Sequence, residues 1–215
     1  MMLKKALLLT FILLLSTLVQ AQKKERIKGN KNVTIQETPI NSFSKILVGE
    51  DFFIDIIEGE SASVFIEADD NLHDIIQFNV ADSVLSFKTT KNITSKKRLS
   101  IKVIYTTSLK EIETVDNGEI SSLTSINLDD VSVKSSGTSK AFLNIKSQNF
   151  NLTSSDRARV KLNVTANETK FELSDNSKLD ALINADRMLI DLYQRTDAKV
   201  RGNLDKLKVR ASNSS

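Results

Sequence analysis

The sequence predicts an all-β fold, a right-handed parallel β-helix with about 19–21 residues per rung, and three observations carry it. First, apolar residues recur in two columns from Leu109 onward. One runs Ile112, Val131, Phe150, Phe171, Ile190 and Leu207, with Thr114, Val133, Leu152, Leu173, Leu192 and Val209 two residues on. The other runs Ile126, Ile145, Val164, Ile183 and Leu204. Second, apolar residues within each unit alternate with a period of two, as in Val131-Ser132-Val133 and Phe171-Glu172-Leu173, which suits a strand and not a helix. Third, polar corners rich in Gly, Asn, Asp and Ser separate the strands, and these residues favour turns. A unit this short cannot bury its own apolar face, so it must stack on a neighbour. Parallel crossovers are right-handed, which sets the expected hand.

The segments before the stack follow in order. Residues 1–21 read as a cleaved export signal: Lys4 and Lys5 form its positive start, Ala6 to Leu15 its apolar middle, and Val19-Gln20-Ala21 its cleavage site. The apolar run is shorter than the roughly 20 residues that span a bilayer, so no transmembrane segment is expected after cleavage. Residues 22–32 read as a flexible lead-in, polar and basic at first. Residues 33–108 read as an irregular β-rich part. Within it Ile46, Val48, Ile54, Ile56, Val64, Ile66, Leu85, Phe87, Ile101 and Val103 lie at strand spacing. A short helix is expected from Asp69 or Asp70, with a surface His73. The run Lys96-Lys97-Arg98 reads as part of a solvated loop, and residues 109–215 as the β-helix repeats.

Composition narrows the chemistry. The chain has no Cys, which excludes disulfides, thiol nucleophiles and thiolate metal sites. A single His leaves little material for transition-metal or acid–base sites. Net charge is +3, falling to about +1 without Lys4 and Lys5, which argues against nucleic acid as a partner. No catalytic, cofactor-binding or metal-binding set is expected, and no cofactor.

Several motifs resemble the family described as putative auto-transporter adhesin, head GIN domain. They are a signal peptide, then Phe43-x-x-Ile46-x-Val48, a strand–turn–strand ending in Ala68-Asp69-Asp70-Asn71-Leu72, and Ser108-Leu109-Lys110-Glu111-Ile112 leading into a Gly-containing corner. The resemblance covers nearly all of the mature chain. It implies a right-handed β-helix, export and an adhesive role, and it brings no catalytic residues. The corners depart from the family's usual G-S-G-D-I/V. Asp116-Asn117-Gly118 and Ser135-Ser136-Gly137 keep one Gly each, while Ser154-Ser155-Asp156 and Ser174-Asp175-Asn176 have none.

Functional material is therefore sought on exposed corners and faces, with Asn117, Gly118, Ser136, Gly137, Asp156, Arg157, Asp175 and Asn176 as the candidate residues. The favoured expectation is an exported, non-enzymatic binding or adhesion module for a protein or glycan at a cell or matrix surface. It would be periplasmic, surface-exposed or secreted. A calcium-dependent lyase or hydrolase acting on acidic polysaccharide would need clustered Asp with an Arg base, from Asp129, Asp130, Asp156, Arg157, Arg159 and Asp175. A structural envelope component is the remaining alternative. The last rung, Leu207 onward, has no evident cap, so docking or self-association through it is expected.

Overall fold

The computed structural model describes residues 24–212, so the expected signal segment lies outside the described residues. The chain forms β1 (Arg26–Lys28), β2 (Val33–Pro39), β3 (Lys45–Val48), β4 (Phe53–Glu58), β5 (Ser63–Asp69), a 3-10 helix (Asp70–Ile75), β6 (Ile76–Ala81) and β7 (Val84–Thr89). There follow β8 (Asn92–Ser95), β9 (Leu99–Tyr105), β10 (Glu111–Thr114), β11 (Glu119–Ser122), β12 (Ile126–Asn127) and β13 (Asp130–Ser135). Four long bent strands complete the stack: β14 (Lys140–Ser154), β15 (Arg159–Leu173), β16 (Lys178–Tyr193) and β17 (Asp197–Ser212). The result is a β-solenoid of about five turns, as the repeat predicts.

Register within the solenoid differs from the expected columns in an instructive way. Ile112 pairs with Val133, Leu152, Phe171, Ile190 and Val209, whereas Val131 pairs with Phe150, Thr169, Met188 and Leu207. The expected first column thus mixes two true ones. A slip of two residues keeps the same face inward, so apolar periodicity cannot detect it. The expected second column holds for Ile126, Ile145, Val164 and Ile183, but their partner in the last rung is Gly202, not Leu204. A Cβ on Gly202 would lie 2.0 Å from the Ile183 carbonyl oxygen, so glycine lets the last rung close on the one before.

The N-terminal part does not precede the stack as a separate unit. β3 pairs in parallel with both β10 and β7, and β4 pairs in parallel with both β11 and β9. The turn made by residues 45–58 therefore sits between the turn that begins the repeats and the later segment 84–105, which lies outside it. Order along the chain and order in space are inverted here. Burial explains why: Ile46, Val48, Ile54 and Ile56 are at most 2% exposed, and a terminal rung would leave them open on one side. Ion pairs run across this junction, from Lys45 to Glu111 and Glu113 and from Lys134 to Glu111. Hydrogen bonds and charge from Glu113 and Glu111 raise the Lys45 pKa above its ordinary value, against a smaller opposing effect of burial.

Antiparallel strands close that end. β6 pairs with β7, while β5 pairs with β9 and carries β2 on its far edge. Two expectations are corrected. The lead-in 22–32 contains β1, which pairs in parallel with β8. His73 is not on the surface: it is 6% exposed and its Nε2 lies 3.0 Å from Thr34 Oγ1. The short helix is present as 3-10, yet Asp69 makes no side-chain cap. Its buried carboxylate instead accepts the amides of Lys31, Lys97 and Arg98 at 3.1–3.2 Å. The side chains of Lys96, Lys97 and Arg98 are exposed, as expected, but the backbone of this run is thereby tied down.

Candidate functional site

The corner after each short side is built on one repeated backbone conformation. Glu50, Asp116, Gly137, Asp156, Asp175 and Gln194 all have positive φ, between 49° and 71°, and each lies two residues past a register-matched strand position. Most L-residues resist this conformation, but Asp, Asn and Gly accept it. That explains how corners without Gly keep the turn: aspartate replaces glycine at the left-handed position. Gly118 serves a different need, because a Cβ there would lie 2.3 Å from the Val48 carbonyl oxygen. It aligns with the buried Ser139, Ala158 and Ser177, two residues past the left-handed column.

Aspartates in this column also bridge rungs. Asp156 Oδ2 accepts the Gly137 amide at 2.9 Å, and Asp175 Oδ2 accepts the Asp156 amide at 3.4 Å and the Ser174 hydroxyl at 3.0 Å. Beside them the Asn117 side chain donates to Asp51 at 3.0 Å and accepts from the Thr138 hydroxyl. Asp116, Asn117, Gly137, Thr138, Asp156, Arg157, Asp175 and Asn176 together line an open concavity of about 650 Å³. Six of the eight candidate residues, Asn117, Gly137, Asp156, Arg157, Asp175 and Asn176, are thus gathered in one place. Gly118 is buried beneath the corner and Ser136 is partly buried, with its amide bonded to Thr114. Asp116 and Thr138 belong to the site but were not anticipated; the 19-residue spacing from Asp156 and Asp175 points to Gly137 and would have led to both neighbours.

A second concavity lies where the long strands bend. Asn149, Glu168, Arg187 and Lys206 are in register along one wall, and Asn151, Lys170, Leu189 and Lys208 along the other. Phe150, Thr169, Met188 and Leu207 lie between them, and the groove measures about 640 Å³. Glu168 is ion-paired with Arg187, and Asn149 donates to Asp130 at 2.8 Å. Asp129 and Asp130 lie at this bend, with Asp130 in the groove lining, while Asp156 and Asp175 line the corner concavity. The carboxylates that a lyase reading would combine are therefore divided between two sites. Among the described residues no group of three or more His, Cys, Asp or Glu side chains is placed to hold a metal ion.

These features define a class, a parallel β-solenoid that displays in-register polar side chains on its corners and faces. The chain belongs to the family described as putative auto-transporter adhesin, head GIN domain, whose profile matches residues 42–215. It is similar in structure to a protein from Bacteroides fragilis described as a putative adhesin. The TM-score is 0.67 and identity 18%, covering 87% of this chain and 96% of that one. A putative adhesin from Parabacteroides distasonis gives a TM-score of 0.63 at 11% identity, with 88% and 98% covered. A protein of the same organism described as a putative lipid binding protein gives 0.57 at 15% identity, with 88% and 98% covered. At these identities the likeness shows a shared fold. No curated protein matches the chain in sequence.

Proposed function

We propose that the protein is an exported, non-enzymatic adhesion-type module that presents a rigid solenoid face to a protein or glycan at a cell or matrix surface. The observation that supports this most is the register itself. Parallel pairing through β14–β17 aligns outward side chains in columns across neighbouring rungs, and a continuous apolar core holds those columns in place. Neighbouring rungs stand roughly 4.8 Å apart, so each column offers a ligand evenly spaced contacts. Family membership supports the same reading, and the aspartates of the corner are already engaged in capping backbone amides.

The test is binding of the mature chain, residues 22–215, to a panel of matrix proteins, host cells and glycans, with and without calcium. Absorbance of unsaturated sugar product is followed in the same wells. Saturable binding without product is the expected result. Calcium-dependent product would overturn the reading and return attention to Asp156, Arg157 and Asp175.

Docking or self-association through the last rung belongs to the same proposal. β17 pairs with β16 along one edge only among the described residues. At positions that face the core in the preceding rungs, Leu207 is 57% and Val209 53% exposed. Unpaired edges and exposed apolar side chains favour addition of another chain.

A further inference from the structure

The adhesion-type reading leaves the ligand open, and the groove at the bend of the long strands narrows its chemistry. Charge is unevenly distributed along the chain. Residues 22–156 carry 19 acidic and 16 basic side chains, whereas residues 157–215 carry 8 acidic and 12 basic ones. The mature protein is thus nearly neutral as a whole, but its C-terminal rungs are cationic. The groove runs across β14 to β17, from Asn149 to Lys208, and takes in Asp130 of β13; three of its strands, β15, β16 and β17, lie in the cationic segment. Its basic lining residues are Lys170, Arg187, Lys206 and Lys208, and its acidic ones are Asp130 and Glu168. Both acids have partners within the lining, Asn149 and Arg187. Asp186 and Asp205, at the same bend, do not line it. The exposed ammonium groups of Lys170, Lys206 and Lys208 make no ion pair or side-chain hydrogen bond among the described residues. They remain available to an incoming anion.

From this arrangement we infer that the groove binds a linear polyanionic glycan laid along the solenoid axis across the rungs. The inference rests on the adhesion-type reading and names the ligand class of one of its faces. Four features select such a chain. The groove is elongated, spanning three rung intervals or roughly 14 Å, which suits a short run of sugars better than a compact anion. Lys170 and Lys208 stand two rungs apart in one column, separated by Leu189, so cations recur at roughly 10 Å. A polyuronate with a carboxylate on every sugar brings one to that repeat at each second sugar. Asn149 and Asn151 supply amides that bond hydroxyls, and the exposed Leu207 supplies apolar surface for the C–H face of a ring. A flat lipid surface reaches protruding cations, whereas these cations flank a concavity, so a bilayer is the less suitable partner.

The experiment uses the mature chain with polygalacturonate as probe, dextran as the neutral polymer, and phosphatidylglycerol vesicles as the anionic surface. Two double variants are compared: Lys170→Glu with Lys208→Glu in the groove, and Lys161→Glu with Lys178→Glu on the other long side. Circular dichroism and thermal melting confirm that each is folded; all four positions are exposed. The expected result is binding of polygalacturonate that weakens with salt, none of dextran, a loss of about tenfold or more in the groove variant, and about threefold or less in the other. Absence of polygalacturonate binding at low salt, an unchanged groove variant, equal losses in both variants, or capture of vesicles in preference to glycan would each overturn the inference. The matrix-protein and cell panel, run in parallel on the same samples, separates the two levels. Binding there without polygalacturonate binding removes the inference alone, and silence in both removes the adhesion-type reading with it.

Discussion

Single residues in this protein are chosen for what they do to the backbone. Asp156 occupies a left-handed position with φ of 58° and caps the Gly137 amide. Asp156→Val places a β-branched side chain there and should cost about 1–2 kcal/mol in urea unfolding, while Asp156→Gly should stay closer to wild type. Equal stabilities would show that the corner does not depend on this conformation. Asp69 is the other case. Burial pushes its pKa up, but the amides of Lys97, Lys31 and Arg98, with the Lys97 charge, together outweigh it and hold the carboxyl below its ordinary value. A depressed carboxylate contributes stability that is present above its unfolded pKa and is lost as pH falls through the folded one. Acid should therefore loosen the loop 96–98 and the start of β2, and Asp69→Ala should lower the melting temperature at neutral pH and flatten that acid dependence. An acid limb unchanged by the substitution would assign the effect elsewhere. Neither role of Asp69 could be read in the sequence, where an aspartate before a short helix suggests a cap; its real partners lie 28–38 residues away.

Strands bring the question of register. Phe171 sits in the column of Leu152 and Ile190, is fully buried, and meets Phe150 edge-on at 5.6 Å between ring centres. Phe171→Ala should destabilise the protein by about 3–5 kcal/mol, since a rigid rung cannot collapse into the space. Denaturant titration checks this, and a loss below about 1 kcal/mol would mean that the rungs slide to fill the cavity. At the last rung, Gly202→Val should push β17 away from β16, because the position faces the Ile183 carbonyl. Hydrogen exchange of residues 197–212 should then accelerate while β14 and β15 keep their protection. On the exposed side of the same strand, Leu207→Asp with Val209→Asp should abolish concentration-dependent self-association measured by light scattering. An unchanged mass at all concentrations for wild type and variant alike would count against docking of one copy on another.

For the molecule as a whole, the two ends of the stack differ. Antiparallel strands β6, β5 and β2 close one, while β17 carries an unpaired edge at the other among the described residues. Charge follows the same polarity, with the cationic rungs on the side of β17. The class of fold was legible in the sequence because burial acts locally: alternating apolar residues at a period near 20 can be satisfied only by stacking short strands. The polar corners were legible for the same reason, since Asp, Asn and Gly are readable markers of a turn at fixed offsets. Three things were decided only in the tertiary structure. Register was ambiguous by two residues, because both settings bury the same face. The insertion of residues 45–58 between the repeats and the segment 84–105 was invisible, because each strand there has the same alternation wherever it stacks. The groove was invisible too, since its walls join residues from four strands and exist only once parallel pairing has aligned them. The chain carries its local periodicity in its own residues, but the choice among equally buried arrangements depends on which edges meet, and that is a property of the assembled stack.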